Sequence, residues 1–477
     1  DRNTLTDGTI IDIASGKDYS NAGLTYNGIY MNLELQKSDT DLKLIVNSNR
    51  TPTLDKVSQA TITSADIIDS WTFDKKTANE NILTASLQAI SNKNDFFHAI
   101  TNLTPDVSGL NVRVPTQSIT SAVANINKRL NFLRTLKING ISGTFMQNLS
   151  RRMPSYYDEY IKQRNLWWEL FGGTLHQDTV DNIFGYDATF YGGTIGYDLD
   201  ISPSFVFGTS YTFSFVDAND LDYIKNDRDN LEAITNNINL YMMLYGKWQY
   251  LTLNVGGGFN VYNQKRKINL YDHNMTAKAN YNGFSYYGGV EYGFNILIYN
   301  SNRQTNEKIS KSEYDTVQRI TKKLESYTEG KKNNFLILTP KVSLTYNNIM
   351  IDNYTEKGAD AANLVIKTKD YDSLDVNGGL SLTYNKSINT MVNFETILNG
   401  LVSYSIRNNK VELDARYIDD DEIFKVYGIE KPDLTYNTGI NFNLNFYEKI
   451  NIGLSYDYIF GDGFNGQIVK FSVLYNF

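Results

Sequence analysis

The sequence predicts an all-β fold: a 12-stranded antiparallel transmembrane β-barrel with an N-terminal α-helix in its lumen, preceded by a short segment with β-like runs. Three observations favour this fold. Apolar and polar residues alternate along many segments after about residue 165, short and long connections alternate between these segments, and a helical pattern directly precedes the first of them. A barrel strand needs only about 9–11 residues, half of them facing the lumen, so the mean hydropathy of -0.39 is compatible with a barrel.

Composition narrows the other possibilities. No uninterrupted apolar run reaches the ~20 residues of a helical membrane span. Tyr 35 and Phe 24 against Trp 4 and Pro 7 are typical of aromatic girdles and proline-poor strands. The absence of cysteine excludes disulfides and thiol nucleophiles, and the net charge of -8 argues against a nucleic-acid-binding surface. A large soluble β-sandwich or β-helix rich in Tyr and Asn is the alternative.

The strands are predicted from residues that alternate with a period of two. In 251–261 and 452–460, bulky apolar residues alternate with mostly small or amide-bearing ones, as expected between lipid and a wet lumen. These segments are longer than the ~5–6 residues typical of sandwich strands. The predicted strands are 166–176, 187–198, 204–216, 232–247, 250–263, 281–297, 335–348, 374–385, 391–406, 434–446, 450–460 and 467–477.

Connection lengths favour a barrel over a sandwich. Every second connection is very short, as at 386–389 and 447–449, whereas those between are mostly long and charged, as at 263–280, 349–373 and 407–433. Short periplasmic turns alternating with long outer loops are typical of outer-membrane barrels. An even number of strands places both ends of the barrel on the periplasmic side.

The connection between the sixth and seventh strands departs from this alternation. It spans 300–334, lies on the short-turn side, and is rich in Lys, Glu and Ser. Its apolar residues recur near helical spacing, which predicts a charged amphipathic helix. A disordered insertion is the alternative.

The region before the barrel divides in two. Residues 1–70 contain short β-like runs between Gly, Asn and Asp turns, and residues 71–164 are predicted to be largely helical, ahead of the barrel at 165–477. The clearest helix begins near Pro115, and a second, basic helical stretch follows at 145–153. The apolar residues of the first helix recur at three- and four-residue intervals: Ile119, Val123, Ile126, Leu130 and Leu133.

A helix directly before the first strand is expected to fill the barrel. A barrel of about twelve strands encloses a bore wide enough for one helix. Acids that strand parity directs into the lumen would neutralise the basic residues of that helix; an ordinary solvated basic helix is the alternative. The candidate basic residues are Lys128, Arg129, Arg151 and Arg152, and the candidate acids are Asp198, Glu291, Glu395 and Asp457.

The two ends of the sequence lead to further expectations. The last strand carries aromatic residues at alternate positions, and Phe471, Tyr475 and Phe477 are interpreted as the signal for the β-barrel assembly machinery. The sequence begins at Asp1 without a basic and then apolar leader. We therefore expect that a signal peptide and several hundred upstream residues are missing from it.

Several segments follow one another in an order and spacing found in a known family. They are 42–46, Leu103-Thr104-Pro105, the tryptophan-containing 166–173, the "G-x-x-x-G-Y-D" region at 186–198, and 338–346. In this order they resemble the closing rung of a β-helical passenger, the position before a pore helix, and strands one, two and seven. The whole layout is similar to the translocator region of a type V autotransporter of the classical, monomeric kind.

The resemblance implies a binding and translocation function rather than catalysis. It implies that residues 1–70 end a passenger, 71–164 link it to the pore, and 165–477 anchor it in a bacterial outer membrane and help export it to the cell surface. The implied partners are outer-membrane lipids, the β-barrel assembly machinery and a surface ligand of an adhesive passenger. A monomer without cofactor, metal or nucleic acid is expected.

Some members of the resembling family cut themselves inside the pore at an asparagine pair. Two segments here align with that motif, but the first asparagine is replaced by Gln147 in one and by Ala124 in the other. The neighbouring Asn148 and Asn125 are each followed by a bulky residue that hinders ring closure. The chain is therefore expected to stay uncut.

Two other functions are compatible with an outer-membrane barrel. An omptin-like protease or a barrel phospholipase needs His with acids or Ser at the rim of the lumen. The chain contains only His98, His176 and His273, of which His176 is near Asp178 and Asp181. A general diffusion porin is the third possibility, although it would need neither the helix nor the N-terminal region.

Overall fold

The alternating segments pair into one closed antiparallel sheet. In the computed structural model, Arg164–Gln177 pairs with Phe464–Asn476, so the first and last barrel strands close the sheet on itself. Closure leaves no unpaired sheet edge, as strands surrounded by lipid require. The structure describes residues 8–15, 25–37, 41–52, 57–72, 77–106, 108–139, 164–202, 204–221, 229–246, 248–270, 273–300, 334–389, 392–408, 411–446 and 449–476.

The elements before the barrel are four strands and four helices within these described residues. They are β1 (Ile10–Ser15), β2 (Thr25–Asn27), β3 (Met31–Lys37), β4 (Asp41–Asn49), α1 (Gln59–Ser70), α2 (Ala78–Ala89), α3 (Lys93–Thr101) and α4 (Leu110–Asn139). In the same part of the chain, none of the helices combines the length and apolar character needed to cross a membrane.

The remaining strands follow in chain order, together with a 3₁₀ helix at Asp360–Ala362. They are β5 (Arg164–Gln177), β6 (Tyr186–Ser202), β7 (Phe205–Asp220), β8 (Asn230–Tyr245), β9 (Gln249–Asn269), β10 (Asn274–Phe294), β11 (Ile296–Asn300), β12 (Phe335–Ile351), β13 (Tyr354–Thr355), β14 (Leu364–Thr368), β15 (Tyr371–Ser387), β16 (Val392–Asn408), β17 (Glu412–Tyr417), β18 (Phe424–Tyr427), β19 (Leu434–Phe446), β20 (Ile450–Gly461) and β21 (Phe464–Asn476).

The described residues confirm a barrel of twelve strands, in which β10 and β11 form one strand interrupted at Asn295. Both pair with β12, and every other barrel strand pairs with its neighbours along the barrel order. Each predicted strand coincides with an observed one. The expected loop at 263–280 is mostly strand, because β9 and β10 pair as far as Asn269 and Asn274. We call the end where β5 begins and β21 ends the periplasmic end, and the opposite one the outer end.

The two faces of the barrel differ as the alternation predicts. Along β7, Phe207, Tyr211 and Phe213 are exposed on the outside, whereas Ser210 and Thr212 are buried inside. The same order, bulky apolar outside and small or polar inside, recurs on the other strands. The barrel therefore presents an apolar surface to lipid and a polar one to its lumen.

The N-terminal strands differ from the expected β-helix. β1 to β4 form a sheet in the order β1-β4-β3-β2, and all of its described pairings are antiparallel, whereas the rungs of a β-helix pair in parallel. Only residues 38–40 separate β3 from β4. A connection this short closes a hairpin and is far too short for a parallel crossover.

The long outer connections contain a second small sheet, which the sequence analysis did not predict. β13, β14, β17 and β18 pair antiparallel and pack against α1. Trp71 Nε1 donates to Asp420 Oδ2 at 2.7 Å, and the Ser64 hydroxyl is hydrogen-bonded to the Tyr417 hydroxyl. We call α1, α2, α3 and this sheet the outer cap.

Some predicted features lie outside the described residues. They are residues 301–333 of the 300–334 connection with its predicted amphipathic helix, the second helical stretch at 145–153 with Arg151 and Arg152, and the last aromatic residue, Phe477.

Candidate functional site: the lumen helix and the barrel wall

α4 occupies the lumen of the barrel. It begins near the outer end, where the Ser108 hydroxyl accepts a hydrogen bond of 3.3 Å from the Leu110 N–H, and it packs against β7 and β8 on the way to the periplasmic end. The helix is longer than predicted, so Pro115 lies inside it. The predicted period is reflected in the burial of Ile119, Ile126 and Leu130.

A buried ion pair joins α4 to the wall. Arg129 donates from Nε to Asp198 Oδ2 at 2.8 Å and from Nη2 to Asp198 Oδ1 at 2.9 Å, and both side chains are shielded from solvent. Asp198 also accepts from Asn165 Nδ2 at 2.7 Å and from the Tyr241 hydroxyl at 3.2 Å. A bidentate guanidinium–carboxylate contact fixes orientation as well as distance. This contact therefore sets the depth and rotation of the helix in the lumen.

A second basic residue of α4 contacts an acid that was not predicted. Lys128 Nζ lies 2.8 Å from Glu169 Oε2 and donates to Ser455 Oγ at 2.7 Å. Glu169 faces the lumen together with Trp167, whereas Trp168 faces outward. The alternation of this strand is hard to recognise in the sequence, because one of two consecutive tryptophans faces the lumen and the other faces lipid. Counting parity from Trp167 would have identified Glu169.

Polar residues of α4 continue the contact with the wall. Asn237 Nδ2 donates to Ser118 Oγ at 2.7 Å, and the Thr235 hydroxyl donates to the same atom at 2.6 Å. Asn125 lies with its amide 2.9 Å from Thr194 Oγ1. The hydrogen bonds are best satisfied when the amide oxygen accepts from Thr194 Oγ1 and the amide nitrogen donates to Glu169 Oε1 at 2.6 Å. In these contacts, buried hydroxyl and amide groups of the helix and the wall are hydrogen-bonded to one another, as buried polar groups generally are.

Two of the other predicted acids, Glu291 and Asp457, point into the lumen but pair with residues of the wall. Glu291 lies 3.5 Å from Lys341 Nζ and accepts from the Tyr250 hydroxyl at 2.8 Å. Asp457 lies 3.1 Å from Lys470 Nζ. Both lysines belong to the wall itself, so these two acids join neighbouring strands to one another and do not bind α4 directly.

Glu395, the fourth predicted acid, does lie at the helix. It accepts from Asn443 Nδ2 at 2.9 Å and is hydrogen-bonded to Thr135 of α4. Arg134, which was not among the predicted basic residues, places its guanidinium 4.1 Å from the centre of the Tyr250 ring. Such a cation–π contact needs an aromatic face inside the lumen, which the sequence pattern of β9 does not single out.

An apolar cluster packs the periplasmic part of α4 against the wall formed by β21, β5, β7 and β8. Ile126, Leu130 and Leu133 of the helix pack among wall residues near the periplasmic end. The wall members of this cluster are Trp167, Val206, Tyr241, Met243 and Leu474. We call these eight residues the periplasmic seal, because apolar packing in a wet lumen excludes water.

The helix leaves part of the lumen open. A cavity of about 310 Å³ lies between α4 and the opposite wall, lined by Thr120, Ala124 and Asn127 of the helix and by polar wall residues such as Asn377 and Asn441. The cavity lies on one side of the helix, and the periplasmic seal lies on the other, between the helix and strands β21, β5, β7 and β8. The helix therefore narrows the bore and packs tightly against one part of the wall near the periplasmic end.

Charged contacts also hold the outer cap on the rim of the barrel. Arg266 donates to Glu356 Oε1 at 3.0 Å, to the Asn102 carbonyl at 2.7 Å and to the Ala362 carbonyl at 2.8 Å. Asp106, at the junction between α3 and α4, accepts from the Ser108 N–H at 2.9 Å. Burial raises the pKa of the Asp106 carboxyl.

Both ring nitrogens of His176, the candidate catalytic residue at the barrel rim, contact carboxylates of the protein. Nδ1 lies 2.7 Å from Asp187 Oδ1, and Nε2 lies 3.0 Å from Asp178 Oδ1. A general base needs one nitrogen directed at a substrate. Within the described residues, no group of three or more His, Asp or Glu residues is placed to hold a metal ion.

The family profile described as "Autotransporter beta-domain" matches residues 166–457, which is more than half of the chain. The chain belongs to this family. It is therefore an autotransporter barrel and lies in the bacterial outer membrane, where the apolar outer face meets lipid.

Relatives of the autotransporter barrel are similar at low identity. Outer membrane protein A of Rickettsia conorii is 22% identical over 318 residues, covering 65% of this chain and 14% of that protein. Outer membrane protein B of Rickettsia prowazekii is 22% identical over 347 residues, covering 72% and 19%. The solved translocator domain of the autotransporter NalP from Neisseria meningitidis has 12% identity and a TM-score of 0.48, covering 69% and 95%. The chain spans less than a fifth of these two rickettsial proteins.

Proposed function

We propose that the autotransporter barrel keeps its passenger tethered at the cell surface and closes its own pore with α4. The bidentate contact between Arg129 and Asp198 carries this proposal, because it connects the linker of the passenger to the wall at a buried point. The periplasmic seal supports it, since apolar side chains of helix and wall pack around the same point. The helix would take this position after the passenger has passed.

The proposal divides the chain into three functional parts. Residues 1–70 belong to the base of the passenger, 71–164 to the linker and pore helix, and 165–477 to the barrel. The start of β5 at Arg164 supports the last boundary. Packing of α1 with α2 and α3 in the outer cap supports extending the surface part beyond residue 70.

The partners of the protein follow from the same proposal. Phe471 and Tyr475 are exposed on the outer face of β21, where the β-barrel assembly machinery would recognise them together with Phe477. An adhesive passenger would bind a host or bacterial surface ligand while the barrel, as a monomer, holds it in the membrane. Catalysis at the rim is not part of the proposal, because both nitrogens of His176 are bound by carboxylates.

A disulfide cross-link tests whether α4 occupies the lumen in the outer membrane. The chain has no cysteine, so an engineered pair is unique. Ser118→Cys with Thr235→Cys joins side chains whose oxygens are 2.6 Å apart. The matched control, Ser118→Cys with Asn377→Cys, places the second thiol on the wall across the cavity.

We expect oxidation of intact outer membranes to cross-link the first pair efficiently and the control pair poorly. The cross-link would be read from the altered gel mobility of the protein and its reversal by reductant. Equal cross-linking of both pairs, or none in the first, would contradict the proposed position of the helix.

A further inference from the structure

Three lysines lie side by side across neighbouring strands at the outer end of the barrel. Lys265 of β9 is directly opposite Lys278 of β10. Lys278 is in turn bridged to Lys357 by paired backbone hydrogen bonds of 2.8 and 2.9 Å. Opposite residues of an antiparallel pair carry their side chains on the same face, with Cβ atoms about 4.5–5.5 Å apart. These residues therefore form one continuous row, which we call the lysine row.

The lysine row lies on the outside of the barrel. Its neighbour Arg266 has the opposite parity and is buried toward the outer cap, whereas the side chains of Lys278 and Lys357 are exposed. Gly358 allows the bridge to form. It has a φ of +99°, and a Cβ at this position would lie 2.8 Å from the Thr276 carbonyl oxygen.

The positive charges of the row are only partly neutralised by the protein. Like charges directly opposite one another destabilise a sheet, so such a row needs anions nearby. Lys265 Nζ lies 3.5 Å from Glu232 Oε1. In the part of the chain that the structure describes, neither Lys278 nor Lys357 takes part in a salt bridge. Among these described residues, two of the three ammonium groups thus have no carboxylate partner, and an anion from outside the protein could bind them.

The row lies directly beyond the apolar outer band. Phe259, Val261 and Phe284 are exposed on this face, and the rings of the two phenylalanines are 5.2 Å apart. Closer to the outer end, the next pair of opposite residues on this face is Asn263 and Asn280, and the pair after it, Lys265 and Lys278, belongs to the lysine row. From Val261 to Lys265 the strand advances by four residues, or about 14 Å along its axis. Because the strands are tilted, the lysines lie less than this distance above the apolar band. Their flexible side chains therefore reach the lipid headgroup layer.

We propose that the lysine row binds a phosphorylated lipid of the outer leaflet. The phosphate would lie between the ammonium groups of Lys278 and Lys357, with the amide of Asn280 beneath it. The Asn263 amide donates to Glu232 Oε2 at 3.0 Å and is not part of the site. The acyl chains of the same lipid would cover the exposed phenylalanines. Headgroup and acyl chains would thus be recognised by adjacent parts of one surface, independently of the position of α4.

The test compares lipids and variants on the full-length protein purified in detergent. Native mass spectrometry would count bound diphosphorylated lipid A and its dephosphorylated form. The variant Lys278→Gln with Lys357→Gln removes two charges of the row. Lys386→Gln with Lys449→Gln removes two exposed charges at the periplasmic end and is the matched control.

We expect the phosphorylated lipid to bind the wild type and the control equally. A lysine near a charged membrane surface changes the affinity about fivefold, so the double variant should bind ~25-fold more weakly. Replacing the same two lysines by Arg should preserve binding. Heat-modifiable gel mobility would show that each variant forms a closed barrel.

Three results would overturn the proposal. They are equal binding of the dephosphorylated lipid, unchanged binding by the double glutamine variant, and full competition by inorganic phosphate at the same concentration as the lipid. The last result would indicate a site for free phosphate. The comparison of the two lipids on the wild type decides the question even if a variant fails to fold.

Discussion

Gly196 and Asp198 show how single residues serve the lumen helix. A Cβ on Gly196 would lie 2.3 Å from Trp167 Cε2, so only glycine leaves room for the indole that donates to the Tyr241 hydroxyl at 2.9 Å. Two residues later, Asp198 binds Arg129. The short Gly-Tyr-Asp segment thus supplies both the space for the periplasmic seal and the carboxylate that orients α4.

Removing one partner of the buried ion pair is expected to destabilise the folded protein. Arg129→Met leaves the Asp198 carboxylate buried without its cation, which typically costs about 3–5 kcal/mol. Asn165 and Tyr241 retain their hydrogen bonds to it, so we expect the lower part of that range. Denaturant unfolding of the protein in micelles would measure the change. The double variant Arg129→Met with Asp198→Leu should recover most of the loss.

The matched control for this pair is Lys265→Met. Lys265 Nζ lies 3.5 Å from Glu232 Oε1, and the two side chains are 37% and 50% exposed. An exposed pair contributes at most ~1 kcal/mol, so its loss should have little effect. Equal destabilisation by the two substitutions would show that burial of the Arg129 contact is not what matters.

At the scale of elements, the helical backbone of α4 is expected to prevent the chain from cutting itself inside the pore. Asn125 lies in the middle of the helix, and its amide is engaged by Thr194. Helical hydrogen bonding holds a side-chain amide away from the carbonyl it would have to attack, and orientation is worth ~7–11 kcal/mol in such steps. We expect one uncut species from outer membranes when its mass is measured. A dominant fragment beginning near residue 125 or 148 would contradict this expectation.

The outer cap is a second element whose attachment can be tested. Arg266 uses its planar group to reach Glu356, Asn102 and Ala362 at once. Lysine retains the positive charge but lacks the planar guanidinium with its several N–H donors. Arg266→Lys should therefore lose at least one hydrogen bond, worth about 1.5–3 kcal/mol. We expect faster amide hydrogen exchange in α1 and α3. Lys267→Arg, one residue away, is the control and should leave exchange unchanged.

Across the whole molecule, the barrel was predictable because the alternation of apolar and polar residues can be recognised within each strand separately. Each strand carries its own alternation, and the parity of Asp198 and Glu395 directed both to the lumen. The outer cap was not predictable, because β14 pairs with β17 across about fifty residues that include two barrel strands, β15 and β16. The antiparallel N-terminal sheet and the partner of Lys128 also depend on three-dimensional pairing. The division into passenger, linker and barrel stays a prediction.

The most direct test of the plug is the conductance of single barrels in a planar bilayer. α4 narrows the lumen to a cavity of about 310 Å³ and forms part of the periplasmic seal. The intact protein should therefore show small or no current steps, and deletion of residues 110–139 should produce steady openings that are several-fold larger. Equal conductance with and without the helix would contradict the account.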